Sequence, residues 1–252
     1  MSGKVRLGLA SIWLGMLLTV IHPLAAIAGC NKSTFQIALD VGHSPAAPGA
    51  ISARGVTEYS FNLRLAGVIE RTLMAHGYGN VFRIMRAGKR RNLLSRTARA
   101  NSLAANLFLS VHHDSAQRQY FLPWSYEGHE RFYSDRFKGW SLFVSYGNPY
   151  SRESIRFATL LADRLLARGL PFTTHHSEPI AGESKSFIDA ARGIYRYDGL
   201  EVLRTAQAPA VLMESGVIIN REEEAALSSP ARQNSIAEAV AEAVDGFCAN
   251  QT

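Results

Sequence analysis

The sequence predicts an α/β domain with a mostly parallel, twisted β-sheet and helices on both faces. Apolar runs of strand length alternate with segments of helical periodicity along most of the chain. Strands separated by helices pair in parallel, because each helix carries the chain back across the sheet. About 224 residues remain after an N-terminal leader, which is enough for one large domain with a complete core.

The leader, residues 1–28, has the features of a secretory signal peptide. Lys4 and Arg6 precede an apolar run at 7–21, and small residues follow at 26–28, as signal peptidase requires. The apolar run is short and is followed by a histidine and a proline, so a permanent membrane anchor is the weaker interpretation. The mature chain, residues 29–252, is therefore expected outside the cytoplasm.

The first half of the mature chain alternates strands and helices. FQIALDVG (35–42) is an apolar run that ends in a glycine turn, which is typical of a buried strand. SFNLRLAGVIERTLMAHG (60–77) has apolar residues at helical spacing and a terminal glycine. The next segments predict a strand at VFRIMR (81–86), a helix at LLSRTARANSLAA (93–105) and a strand at NLFLSVH (106–112).

Residues 115–150 interrupt this alternation. They are rich in aromatic residues, glycine and arginine, and only GWSLFVS (139–145) within them has a strand pattern. SRESIRFATLLADRLLARG (151–169) follows as an amphipathic helix. FTTHHSEPIAGESKS (172–186) is then predicted to be a loop, with its two histidines, 175 and 176, at the surface or at a rim.

The chain ends with a strand, PAVLMESG (209–216), and a helix, SIAEAVAEAVDGF (235–247). This helix should run antiparallel to the strand, which would bring Cys248 to the edge where the first strand begins, near Cys30. The two cysteines then predict a disulfide between the chain ends. Alternatively, IAGC (27–30) is similar to the lipobox of bacterial lipoproteins, in which Cys30 would carry a lipid anchor. Both interpretations place the protein outside the cytoplasm.

Three of the predicted strands end in residues that bind metals or transfer protons. FQIALDVG is followed by His43, the strand LFLSV by His112 and His113, and PAVLM by Glu214. Glu58 opens the first helix, where an acidic side chain also suits the helix dipole. Each residue alone has an ordinary structural interpretation. Together they converge on the carboxyl edge of one sheet, where functional groups of open α/β folds collect.

Two imidazoles and a carboxylate are a common ligand set for catalytic zinc, which keeps one position open for water. Zinc makes that water acidic, and a separate carboxylate must then receive the proton and pass it to the leaving amine. Glu214, at the tip of an apolar strand, is the candidate for this role. Desolvation there would raise its pKa toward the range that suits proton transfer.

At these residues the sequence resembles the zinc-dependent N-acetylmuramoyl-L-alanine amidases of bacterial cell separation. The similar segments, in family order from about residue 35 to 245, are IALDVGHSPAAPGAISARGVTEYSFNLRLA, LLSRTARANSLAANLFLSVHHDS, RGIYRYDGLEVLR and PAVLMESGVIIN. The resemblance implies that His43, Glu58 and His112 bind Zn²⁺ and that Glu214 is the general base. His113 stands where the family usually has a small residue, so it is expected at the rim of the cleft.

The resemblance also implies a substrate and partners. The substrate would be peptidoglycan, cut between N-acetylmuramic acid and L-alanine in the periplasm or elsewhere outside the cytoplasm. An outer-membrane lipoprotein is the alternative if Cys30 is acylated. Related periplasmic enzymes carry an inserted helix that covers the zinc until an activator protein removes it. Residues 115–150 are therefore either such a cover or a substrate-binding wall.

Two other functions remain open at this point. A zinc carboxypeptidase acting on stem peptides of the cell wall would use the same four residues, and a non-catalytic wall-binding regulator would lack one of them. The basic stretch 81–99 has no acidic residue and is expected to be mainly a solvated surface. Although the formal net charge is +6, no nucleic-acid-binding motif is present and secretion argues against that partner. The oligomeric state is not predicted.

Overall fold

The structure is a computed structural model that describes Gly3 and residues 30–85, 93–180 and 184–250. The predicted signal peptide, apart from Gly3, and residues 86–92 of the basic stretch lie outside the described residues. The strands in the described part of the chain are β1 (Gln36–Val41), β2 (Asn80–Ile84), β3 (Leu107–Asp114), β4 (Leu122–Tyr126), β5 (His129–Tyr133), β6 (Ser141–Val144), β7 (Phe187–Asp189), β8 (Ile194–Arg196) and β9 (Ala210–Val217). The α-helices there are α1 (Glu58–Ala75), α2 (Leu94–Ser102), α3 (Ser151–Ala167), α4 (Glu201–Thr205), α5 (Arg221–Ser228) and α6 (Pro230–Ala249).

Seven strands form the central sheet in the order β2-β1-β3-β9-β6-β8-β7. The β2-β1-β3-β9 half is parallel throughout, and β6 pairs in parallel with β8. β6 runs antiparallel to β9, and β7 runs antiparallel to β8. The predicted mostly parallel α/β sheet is confirmed, and its parallel half is the part that carries the site.

Helices cover both faces of this sheet, as predicted. Successive strand residues point to opposite faces, so Leu39 and Leu109 belong to one core while Ala38 and Phe108 belong to the other. The larger core is completed by α1, α3 and α6, and the smaller one by α2 and α4. None of the helices in the described ranges is long and apolar enough to span a bilayer.

The segment 115–150 forms strands rather than an inserted helix. It contains a three-residue 3₁₀ turn, the separate β4–β5 hairpin, and β6, which belongs to the central sheet. Glu127 and Gly128 form a two-residue loop with positive φ angles of 50° and 76°. Hairpin loops of this kind usually carry Asn-Gly or Asp-Gly, so the Glu-Gly pair does not predict a hairpin from the sequence. Pro123 within β4 also obscured the strand, although an edge strand tolerates it.

Other differences concern short or terminal elements. β7 and β8 have only three residues each, too few for a periodic pattern, and both were missed. α5 begins directly after Asn220, which caps it by accepting hydrogen bonds from two backbone amides. α6 begins at Pro230, before the predicted start at 235, because Ser229 caps it and proline suits the first turn.

The segment before β1 and the end of α6 meet as the predicted topology requires. Cys30 and Cys248 form a disulfide with their Cα atoms 5.0 Å apart. The Cys30 amide also donates a hydrogen bond to the Cys248 carbonyl oxygen, at 2.9 Å. The last helix is thus tied to the start of the first strand at the edge opposite the strand ends that carry His112 and Glu214.

An ion-pair cluster near this junction gives a pH-dependent contribution to stability. His76 lies 2.8 Å from Asp245 and 3.2 Å from Glu238, joining α1 to α6. The hydrogen bond with Asp245 is the main cause that raises the pKa of His76 above its ordinary value. A raised folded-state pKa stabilises the fold fully below the unfolded pKa, and this contribution disappears as pH rises through the folded pKa.

His76→Gln is therefore expected to destabilise the protein more at about pH 5.5 than at about pH 9. The difference should be roughly 0.5–1 kcal/mol, because the pair is partly exposed. Denaturant unfolding of both proteins at the two pH values measures it. An equal effect of the substitution at both pH values would show that the charged form of His76 does not contribute.

Candidate active site

The carboxyl edge of the parallel strands brings four predicted residues to one place. His43 follows β1, His112 lies near the end of β3 and Glu214 lies in β9. Glu58 is the first residue of α1, which Thr57 caps through its side chain. One ligand atom from each of His43, Glu58 and His112 lies within 4.8 Å of the others.

Glu58 is the centre of this group. One carboxylate oxygen lies 2.9 Å from His112 Nδ1 and the other lies 2.9 Å from His43 Nε2. The Ala50 amide and the Asn62 side chain also donate to this carboxylate. Burial raises the pKa of Glu58, but the hydrogen bonds to His112 and His43 outweigh burial and hold it well below its ordinary value. Glu58 is therefore ionised at neutral pH and available as an anionic ligand.

The backbone between β1 and α1 allows the side chains of His43, Glu58 and His112 to lie this close together. A Cβ at position 42 would lie only 2.5 Å from the His112 ring, so glycine leaves the ring its space. Gly49 has φ of +80°, and a Cβ there would collide with Glu58 and His43. His43 itself has φ of 65°, a left-handed conformation that is uncommon for a residue with a side chain. Such strain is frequent at functional sites.

Glu214 lies beside the His43–Glu58–His112 group but makes no hydrogen bond to it. In the β3–β9 register it stands directly opposite His112. Its Oε2 atom is buried without a hydrogen-bond partner in the described structure. Burial, followed by the negative charges of Asp114 and Glu58, raises the pKa of Glu214 well above its ordinary value. A buried, unpartnered carboxyl group of this kind is suited to accept or donate a proton.

The site opens to solvent through a cleft of about 550 Å³. His43, His112 and Glu214 line it, together with Arg118 and Lys185. The His43 side chain is 28% exposed, so a ligand or substrate can reach the group. The hairpin residues 122–133 do not line this cleft.

A buried arginine, which the sequence interpretation missed, holds the loop that carries His43. Arg96 of α2 donates to Asp40 Oδ1 and to the Val41 carbonyl oxygen, both at 2.6 Å, and also to the His43 carbonyl oxygen. Asp40 also accepts from the Ser110 hydroxyl. The expectation of a solvated surface at 81–99 is thus wrong for Arg96. Arg96 lies three residues after Leu93 and four before Ala100, so it shares their buried face of the helix. This spacing could have predicted from the sequence that Arg96 is buried.

Two other histidines lie in places that differ from the expectations. His113 is not at the cleft rim; its ring is buried against Phe61, and Nδ1 lies 2.7 Å from Asn62 Oδ1. Neighbouring residues in a strand face opposite sides, so His112 lines the cleft while His113 points into the core. His175 is also buried rather than at a surface, and it faces Asp114 beside the partly exposed His176.

The fold and the site together have the make-up of a hydrolytic enzyme. An α/β sheet presents a solvent-accessible His–Glu–His group and a separate buried carboxyl group at its functional edge. The pattern of the N-acetylmuramoyl-L-alanine amidase family matches residues 37–246. The chain belongs to this family of peptidoglycan hydrolases.

Solved structures of amidases share the fold. Ami1 from Mycobacterium smegmatis superposes with a TM-score of 0.66 at 22% identity, covering 88% of this chain and 100% of its own. The catalytic domain of CwlV from Bacillus (Paenibacillus) polymyxa var. colistinus gives 0.61 at 25%, covering 84% and 97%. The CwlD amidase from Clostridioides difficile, solved in complex with the GerS lipoprotein, gives 0.58 at 18%, covering 84% and 98%. No curated protein sequence matches the chain.

Proposed function

We propose that this protein is a zinc-dependent amidase that cleaves the bond between the lactyl group of N-acetylmuramic acid and L-alanine in peptidoglycan. The observation that carries the proposal is the His43–Glu58–His112 group beside the unpartnered carboxyl group of Glu214. Two imidazoles and one carboxylate fit zinc and leave a coordination position open. When bound, zinc supplies Lewis acidity toward the scissile carbonyl and lowers the pKa of water.

The residues of the chain have distinct roles in this proposal. His43 and His112 hold the metal through imidazole nitrogens, and Glu58 neutralises part of its charge. Glu214 takes a proton from the water that attacks the lactyl carbonyl carbon. It then gives the proton to the nitrogen of L-alanine as the C–N bond breaks. The products are a free lactyl carboxylic acid on the glycan and a free amine on the peptide.

Product analysis tests the proposed reaction. Purified peptidoglycan is digested, and the soluble and insoluble products are identified by mass spectrometry. The proposal requires peptides with a free L-alanine amine and glycan with a free lactyl carboxyl group. Release of a single terminal amino acid would instead identify a carboxypeptidase. Absence of any released product would identify a wall-binding protein without activity.

In this proposal the hairpin is a substrate-binding wall rather than a cover. Residues of β5 and the loop at 50–52 line a second cavity of about 700 Å³. This cavity shares Ser115, Ala116 and Arg118 with the cleft that contains His43, His112 and Glu214. Phe132 lines this cavity and remains 56% exposed. An exposed aromatic face beside the cleft is suited to contact a glycan strand.

Phe132→Ser is expected to lower hydrolysis of polymeric peptidoglycan roughly three- to tenfold, which corresponds to ~1 kcal/mol of lost apolar contact. The exposed Leu166 of α3 provides a control, since Leu166→Ser removes an apolar side chain away from both cavities. Initial rates on insoluble peptidoglycan measure the effect. A rise in activity of Phe132→Ser would favour the covering role instead.

The proposed location is outside the cytoplasm, with Cys30 in its disulfide rather than acylated. The structure supports this by joining Cys30 to Cys248, which leaves no thiol for a lipid. The intact mass of the mature protein should therefore be two hydrogens below that of the reduced chain. Additional lipid mass would contradict this and would indicate a lipoprotein. An activator protein is also proposed, by analogy with the lipoprotein complex of the CwlD amidase.

A further inference from the structure

A second group of two histidines and one carboxylate lies in the same cleft as the first. Asp114, His175 and His176 each offer one ligand atom, and these atoms lie within 4.8 Å of one another. His176 Nε2 is 2.6 Å and His175 Nε2 is 3.2 Å from the same oxygen, Asp114 Oδ2. Within the described residues, the only other group of three such side chains with ligand atoms this close together is His43, Glu58 and His112.

The fold brings these three side chains together from two distant segments. Asp114 ends β3, two residues after His112, so the same strand serves both groups. His175 and His176 lie in a 3₁₀ turn between α3 and β7. Asp114, His175 and His176 all line the cleft, as do His43, His112 and Glu214.

The side chains of Asp114 and His175 are each held by a hydrogen bond at the atom that is not the proposed ligand. Asp114 Oδ1 accepts a hydrogen bond from the Ser115 amide at 2.7 Å, which leaves Oδ2 for the histidines. His175 Nδ1 lies 2.8 Å from the Thr173 hydroxyl, which directs Nε2 toward Asp114. Metal-binding histidines are commonly oriented in this way through their second nitrogen.

The burial of the group also favours a cation. His175 and Asp114 are nearly buried, with side chains 1% and 14% exposed. A buried carboxylate needs a compensating positive charge. Two imidazole nitrogens that converge on one carboxylate oxygen, in a cleft open to solvent, are the nitrogen and oxygen donors that zinc prefers.

We propose that Asp114, His175 and His176 form a second zinc-binding site in the active-site cleft. The site adds to the proposed amidase activity and does not depend on it. The three ligand residues line the cleft, and a carboxylate or carbonyl oxygen of a peptide is the class of ligand that a metal bound there would take. That substrate role rests on the proposed function, whereas the binding of the metal does not.

Zinc stoichiometry tests the second site directly. The full mature protein is stripped with a chelator, loaded with excess Zn²⁺ and desalted, and bound zinc is measured by elemental analysis. We expect two zinc ions per chain in the wild type and one in both Asp114→Asn and His176→Ala. Asparagine keeps the acceptor for the Ser115 amide, so Asp114→Asn is expected to fold. The zinc ion that it retains at the first site reports that the fold is intact.

Two controls separate this result from a failure of the first site. His43→Ala should also retain one zinc ion, held by the second site, while losing amidase activity. His76→Gln is the matched control, because His76 also contacts two carboxylates but lies between α1 and α6, outside the cleft; it should bind two zinc ions. One zinc ion in the wild type that both Asp114→Asn and His176→Ala retain, or two ions in both variants, would overturn the proposal. If the wild type binds two ions, loss of all zinc from both variants would also overturn it, since the second site would then not be independent. If the wild type binds one ion that both variants lose and His43→Ala keeps, the second site stands and the first does not.

Discussion

Glu214→Gln is expected to lower the rate of peptidoglycan hydrolysis by about 10²- to 10⁴-fold, the range for removal of a general acid–base group. Glutamine has the same shape as glutamate but cannot accept the proton from water or return it to the leaving amine. Zinc binding should remain as in the wild type, because Glu214 makes no hydrogen bond to the His43–Glu58–His112 group. Initial rates and elemental analysis on the same preparations measure both quantities.

Glu223→Gln is the matched control for this substitution. Glu223 is also buried, and burial raises its pKa, but its carboxylate accepts hydrogen bonds from the Gly139 and Val217 amides in a structural role. Its substitution should reduce stability while leaving hydrolysis close to the wild-type rate. Hydrolysis by Glu214→Gln at the wild-type rate would remove Glu214 from the proposed role.

The largest expected effect on stability comes from Arg96→Met. It should lower the free energy of unfolding by about 3–5 kcal/mol, the cost of leaving a buried charge without its partner. Asp40 would remain buried, and the carbonyl oxygens of Val41 and His43 would lose their donor. Because His43 follows this segment directly, zinc affinity should fall as well. Denaturant unfolding and zinc competition with a chelator measure the two effects.

A surface arginine provides the comparison for Arg96. Arg83 pairs with Glu70 at 2.9 Å, and both side chains are partly exposed. Arg83→Met should cost only about 0.2–1 kcal/mol and leave zinc affinity unchanged. If Arg96→Met were no more destabilising than Arg83→Met, the Asp40–Arg96 pair would not be what holds the end of β1.

The sequence was sufficient to predict the edge of the sheet at which the site lies. His43 follows β1, and His112 and Glu214 lie in the carboxyl-terminal halves of β3 and β9. The carboxyl ends of parallel strands meet at one edge. Glu58 could be added because a helix start lies close to the same edge. The convergence of four distant residues thus followed from topology, which the alternation of strands and helices already indicated.

Features that depend on contacts between side chains could not be predicted in this way. The burial of Arg96 depends on Asp40, which is distant in the chain and reaches it only after folding. His175 lies in a polar segment, and only the tertiary structure places it against Asp114. The β4–β5 hairpin was missed for a local reason, because its Glu-Gly loop and internal proline do not have the usual pattern.

The central claim, that catalysis depends on zinc held at His43, Glu58 and His112, is tested most directly by removal and return of the metal. Peptidoglycan hydrolysis and zinc content are measured together for the untreated enzyme, after chelation, and after addition of Zn²⁺. The account predicts that activity disappears with the metal, returns with it in the wild type, and does not return in His112→Ala. Full hydrolysis by enzyme that contains no metal would contradict it.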